Sequence, residues 1–391
     1  MLARSTTDEH RASTPLELLF DLCFVVAVAQ AAARLHHALA AGHPGAAVLG
    51  YAQVFFAIWW AWMNFTWFAS AYDTDDVPYR LATLVQIAGV LILAAGVPRA
   101  FDAGDFALVT AGYVVMRVAL VGQWLRAARG DPEGRTSALR YAAGIAILQV
   151  GWVARLALPH PWVVVAGLPL ALGELAVPLW AERSYSTPWH PGHIAERYGL
   201  FTLIVLGESV LAATVAVQSG LDAGAAVGAL LALAAGGLLI VFSMWWLYFD
   251  QPARRVLGTG RAHSNRVSFL WGYGHLLIFA SAAAVGAGLG VAVDQATGHA
   301  HLSARAAAAA VAVPVALYLL TVWALHARPH LRGPVQTAAY PVTAALVLVA
   351  AAAGGPVLVT GLLLAALVAV TLLSAVSERR QGRVSGRADP P

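Results

Sequence analysis

The chain has 391 residues, of which 60% are hydrophobic and only 11% charged, and a formal net charge of +4. A soluble domain carries charge at about one residue in four, and single apolar cores stop growing beyond about 250–300 residues, so a water-soluble globular class is excluded. The single cysteine, Cys23, excludes an internal disulfide.

In lipid the backbone must satisfy its own hydrogen bonds, which leaves helices or closed barrels. The apolar runs are roughly 20 residues long, the span of a helix and about twice that of a barrel strand. The expected fold class is therefore all-α, a polytopic transmembrane bundle of about 12 spans. Those spans are expected to start near Leu16, Ala46, Arg80, Gly104, Leu139, Pro161, Ile194, Asp222, Arg266, Ala304, Val335 and Pro356. The polar N-terminus lacks a cleavable signal pattern, so the first helix is expected to stay in the mature protein.

In chain order, Thr14-Pro15 opens the first span as a cap followed by proline at the first helical position. Glu17 and Asp21 follow at i and i+4 on one face, where two carboxylates resist joint ionisation unless a cation or arginine sits between them. Glu17 alone also fits a capped first turn at the surface. The second span holds Trp59, Trp60, Trp62 and Trp67, read as interface anchors, and Asn64, the polar residue expected to face inward. The acidic run Asp73-Thr-Asp75-Asp76 after it reads as a solvated turn.

Arg117 lies deep in the fourth span and needs an acid, with Glu208 and Glu174 the available partners. Glu208 stands in the seventh span within Phe201-Thr-Leu-Ile-Val-Leu-Gly-Glu-Ser-Val-Leu, about 12 Å from Leu200 and near the bilayer centre. Gly207 is expected to admit another helix closely, and Ser209 to offer a hydrogen bond. His275, in the ninth span, is placed at similar depth and is suited to shuttling protons. Intramembrane charges cost at least roughly 2.5–3.5 kcal/mol each and usually face the bundle interior, so these residues are the functional candidates. His299-Ala-His301 has no clear third ligand, and no metal or cofactor is expected. No Walker loop, dinucleotide glycine fingerprint or nucleophile elbow occurs, and no nucleic-acid partner is indicated.

Charge placement tests the helix count. With twelve spans, nineteen of the 24 arginines fall on the side of the termini and four on the other, with Arg117 inside a span. The positive-inside rule then places both termini in the cytoplasm of a cell-membrane protein. A repeat is also expected: Trp59-Trp60 with Asn64 matches Trp245-Trp246 with Asp250, and Arg80 matches Arg266, all at an offset of 186 residues. The organisation expected is an N-terminal cytoplasmic segment (1–15), a six-helix half (16–180), a cytoplasmic connection (181–193), a second parallel half (194–376) and a disordered Arg-rich tail (377–391).

Three stretches form a set: Thr14-Pro-Leu-Glu-Leu-Leu-Phe-Asp, His193-Ile-Ala-Glu-Arg-Tyr-Gly through Gly207-Glu-Ser, and Trp245-Trp-Leu-Tyr-Phe-Asp. This set resembles the signatures of the bacterial low-temperature-requirement A (LtrA) family. The resemblance implies a multi-pass membrane protein, associated in name with growth at low temperature, and no secure molecular activity. The family pattern falls on Glu17, Asp21, Glu196, Arg197, Gly207, Glu208 and Asp250.

Three function classes follow. The first is a proton- or cation-coupled secondary transporter or channel. In it Glu208, assisted by His275, carries the proton, Glu17 and Asp21 form a vestibule, and Arg117 holds a counter-charge or an anionic substrate group. The second is a structural or cold-growth protein whose buried charges clamp helices. The third is a membrane-embedded enzyme acting on lipid, against which the depth of Glu208 argues. The expected partners are the lipid bilayer and a small-molecule or ion substrate, with protons as one candidate.

Overall fold

The computed structural model describes residues 1, 12–159, 161–224, 226–251, 257, 265–300, 302–329 and 333–385. Twelve of its helices are long and apolar enough to cross a bilayer. They are α1 (Pro15–Ala40), α2 (Pro44–Tyr72), α3 (Val77–Ala103), α4 (Ala107–Gly130), α5 (Arg135–Arg155), α6 (Trp162–Ala181), α7 (Pro191–Asp222), α8 (Val227–Phe249), α9 (Asn265–Ala296), α10 (Ala304–Ala327), α11 (Pro334–Ala352) and α12 (Val357–Ser385). Every start lies within five residues of the one expected, and no strand occurs among the described residues.

Local chemistry sets several of these ends. Thr14 and Glu17 form a reciprocal capping box: the Thr14 amide donates to Glu17 Oε2 at 2.8 Å, and the Glu17 amide donates to Thr14 Oγ1 at 3.3 Å. Asp76 caps α3 by accepting from the Tyr79 amide. Gly104 closes α3 with φ 64°. The last turn of α10, Trp323–Ala327, is a π-helix closed by the Arg328 amide on the Trp323 carbonyl. Helix α12 continues to Ser385, past the point where a disordered tail was expected, and 386–391 lie outside the described residues. So does most of the Gln251–Asn265 connection.

Large apolar side chains point outward. Ile147, Val150, Leu270 and Leu373 are each 69–71% exposed. In water such a surface would be an aggregation patch, and in a bilayer it is the lipid face. The protein is a multi-pass membrane protein.

The contacts divide the chain into two compact units. One holds Met1–Leu35, Gly45–Ile204 and Gly260–Ser268, and the other His36–Pro44, Val205–Thr259 and Phe269–Pro391. Within the first, α3 packs on α4, α4 on α5 and α5 on α6. Helices α3 and α4 meet through Gly89 and Gly112, where a Cβ at Gly112 would lie 2.5 Å from the Gly89 carbonyl oxygen. Lipid gives helices no hydrophobic reason to associate, so small residues that let backbones approach supply the packing energy. Within the second unit, α8 packs on α12, α10 on α11 and α11 on α12. Here Gly236 and Gly361 play the same part, a Cβ at Gly361 lying 2.6 Å from the Gly236 carbonyl oxygen.

Candidate functional site

The first buried charge cluster lies within the first unit. Glu17 and Asp21 present both carboxylates from one face of α1, as their spacing requires. His193 and Arg197, also at i and i+4, present two nitrogen groups from α7. His193 Nε2 lies 3.2 Å from Glu17 Oε1, Arg197 Nη1 lies 3.0 Å from Glu17 Oε1, and Arg197 Nη2 lies 2.5 Å from Asp21 Oδ1. Trp62 Nε1 donates to the same Asp21 oxygen at 2.6 Å, and Arg197 Nη2 reaches Thr66 Oγ1 at 3.5 Å. All six residues are buried. The arginine expected between the two acids is therefore Arg197. Glu17 serves its helix cap, but from the interior and not from the surface.

A second cluster in the same unit surrounds Arg117. Its Nη2 lies 3.4 Å from Glu174 Oε2 and donates to the Tyr113 hydroxyl, whose ring it also faces at 4.6 Å. Trp60 Nε1 donates to Glu174 Oε2 at 2.8 Å and Trp152 Nε1 to Glu174 Oε1 at 3.2 Å. Of the two acids available to Arg117, Glu174 is the partner and Glu208 is not. Both clusters set carboxylate against guanidinium, with indole N–H groups donating to Asp21 in the first and to Glu174 in the second. A buried ion pair needs such added hydrogen bonds to offset its desolvation, and Asp21 Oδ2 has none among the described residues.

Glu208 belongs to the second unit and is placed differently. It lies near the middle of the 32-residue α7 and is half-buried. Among the described residues it has neither an ion-pair nor a hydrogen-bond partner. Of the acids with described side chains more than one turn inside a span (Asp21, Glu174, Glu196 and Glu208), the other three all have one. Ser209, beside it, donates to the Ala282 carbonyl of α9 and to Val205 of its own helix. Gly207 does not admit a helix: no atom would lie within 4 Å of a Cβ there. It lines an apolar recess of about 520 Å³ with Leu206, Val210, Val241, Phe242, Trp245 and Trp246.

The family model for bacterial low temperature requirement A protein (LtrA) matches residues 12–376. The chain belongs to the LtrA family. An uncharacterized protein of Rhizobium meliloti (strain 1021) is 30% identical to it over 289 residues, covering 71% of this chain and 68% of the relative. No solved structure matches.

Glu17, Asp21 and Arg197 meet. Glu196 is half-buried and accepts from the Ser13 amide at 3.1 Å. Asp250 is exposed at the end of α8, bonded to the Gln251 side chain. Asn64 turns back on its own helix, its Nδ2 donating to the Trp60 carbonyl at 2.8 Å. His275 makes no hydrogen bond or ion pair with Glu208 among the described residues. Helix α7 meets α9 at Ser209 and Ala282, and His275 is two turns, about 10 Å, from Ala282. Its partners are Tyr248, His326 and the Trp271 carbonyl. His299 bonds Thr297, and His301 lies outside the described residues.

Sequence reasoning misread Trp60 and Trp62 and gave His193 no role in this LtrA-family protein. The two tryptophans are fully buried donors to carboxylates, not interface anchors. The signal for His193 was present: His193 and Arg197 repeat the i, i+4 spacing of Glu17 and Asp21. Nothing local distinguishes a buried tryptophan from one at the headgroups.

Proposed function

We propose that this LtrA-family protein is a proton- or cation-coupled secondary transporter or channel of the cell membrane, with Glu208 as its coupling acid and both termini cytoplasmic. The observation that carries this reading is the unpartnered state of Glu208 among the described residues, beside three deep acids that all have partners. An acid held in an ion pair must break that pair to exchange a proton or bind a cation, whereas Glu208 can do either without such a cost. Its neighbour Gly207 opens on the apolar recess. The arginine asymmetry supports the assignment of the termini.

The matched clusters take another role. Glu17, Asp21 and Arg197, and likewise Arg117 and Glu174, clamp helices within the first unit: Arg117 and Glu174 balance one to one, and Glu17 and Asp21 share the guanidinium of Arg197, with the His193 ring beside Glu17. In this reading they build the scaffold and Glu208 does the exchange.

The test uses purified protein in proteoliposomes containing a pH-sensitive dye, challenged with panels of inorganic ions, amino acids and organic cations. Wild type should move protons or the cation in a solute-dependent way. Glu208→Gln should abolish that movement while keeping wild-type helicity and melting temperature, because no bond is lost. Undiminished flux in Glu208→Gln overturns the assignment, and a wild type silent to every class overturns coupled transport.

A further inference from the structure

Three polar side chains meet in the second unit: Tyr248 in the last turn of α8, His275 within α9 and His326 in the π-helical turn that ends α10. Each is at most 3% exposed. His275 Nε2 lies 3.1 Å from the Tyr248 hydroxyl and 3.1 Å from His326 Nε2. On its other side, His275 Nδ1 lies 2.7 Å from the Trp271 carbonyl oxygen. A carbonyl only accepts, so Nδ1 carries the proton and Nε2 is a bare lone pair. That one lone pair faces two potential donors and cannot point at both.

A cation at the focus resolves this conflict, because it accepts lone pairs from all three groups at once. We propose that His275, His326 and Tyr248 form a binding site for a divalent transition cation of the zinc class. Four observations support it. Ligands about 2.0–2.1 Å from a tetrahedral zinc stand about 3.3 Å apart, close to the two 3.1 Å separations seen here. The Nδ1–H bond to a backbone carbonyl is the outer bond that orients a metal-ligating histidine. Tyr248 and His326 both sit at helix C-terminal ends, whose carbonyl dipoles favour positive charge. Finally, a π-turn carries His326 into the cluster, and such turns are frequent at functional sites.

Binding is a ligand exchange with no redox step. The metal forms bonds to His275 Nε2, His326 Nε2 and Tyr248 Oη. The phenol proton leaves to solvent, and the His326 ring proton resides on Nδ1. Three protein ligands leave one coordination position for water.

The full chain, purified without a histidine tag and stripped with a chelator, is titrated with Co²⁺ and then Zn²⁺. One Co²⁺ per chain should bind with tetrahedral ligand-field bands, release a proton, and be displaced by Zn²⁺. His275→Gln with His326→Gln should lower affinity at least about tenfold. Tyr248→Phe, a milder change, should keep the fold, shift the bands and lose the released proton. A wild type that binds no Co²⁺ overturns the site, as does unchanged affinity in the double variant. Unchanged bands and proton release in Tyr248→Phe overturn the phenolate ligand.

Discussion

Arg197 Nη2 stands 2.5 Å from Asp21 Oδ1, and neither side chain exposes any surface. The pair His193–Glu17 has the same separation in sequence, 176 residues, as Arg197–Asp21. A constant separation means that α1 and this part of α7 run parallel, each turn of one presenting acids to the basic groups of the other. This ladder determines which faces of the two helices meet.

Arg197→Met should be strongly destabilising, because it strands two buried carboxylates. The expected loss is about 3–5 kcal/mol, the range for breaking a buried pair from one side. Adding Asp21→Asn should recover part of it, since one of the stranded charges is then removed. Denaturation midpoints in SDS or thermal-shift assays in detergent would check both. Near-wild-type stability in Arg197→Met would show that the clamp contributes nothing.

Two glycines should behave in opposite ways. A Cβ at Gly112 would strike the Gly89 carbonyl and the Leu93 backbone at 2.5 Å, so Gly112→Ala must push α3 and α4 apart. Overpacking of this kind costs about 1–3 kcal/mol. At Gly207 nothing is in the way, so Gly207→Ala should be neutral or stabilise α7 by about 0.5–1 kcal/mol. The two melting temperatures, measured side by side, give the comparison.

The turn before α3 should carry an acid-sensitive contact. Asp76 Oδ2 lies 2.7 Å from Arg126 Nη2, and its other oxygen caps the helix at the Tyr79 amide. The bond from Arg126 and the cap hold the Asp76 carboxyl below the usual carboxylate range, against a smaller opposing effect of burial. A depressed acid contributes stability above its unfolded pKa of about 3.9 and loses it as pH falls through the folded value. The pair is partly exposed, so the effect should be modest and weakened by salt. Asp76→Asn, which keeps the cap, should flatten the dependence of stability on pH below about 4. An identical acid limb in the variant would remove Asp76 as its source.

The fold was legible because its cause is local. A run of about 20 apolar residues must close its own hydrogen bonds in lipid, and this is a property of the run itself. Hence all twelve starts could be read to within five residues, and the capping box at Thr14 and Glu17 could be anticipated as a helix start. Lipid tolerates deep charges poorly, so their rarity alone singled out Asp21, Arg117, Glu208 and His275 as residues needing an account.

Pairing was not legible. Arg117 had two candidate acids at suitable depth, and only the packing of α4 and α6 chose Glu174. Depth alone likewise could not separate the roles of Glu208 and His275. Rotation about each helix axis decides which residues face each other, and hydropathy in a uniformly apolar helix does not encode that rotation. The tryptophans of α2 were misread for the same reason, since indole suits a headgroup interface and a buried carboxylate equally well. The sequence by itself determined the twelve helices and the depth of their ionisable residues, through the cost of unsatisfied backbone and bare charge in lipid. Only the tertiary structure decided that Arg197 closes on Glu17 and Asp21 and that Arg117 closes on Glu174, because those contacts depend on helix rotations set by side chains far apart in the chain.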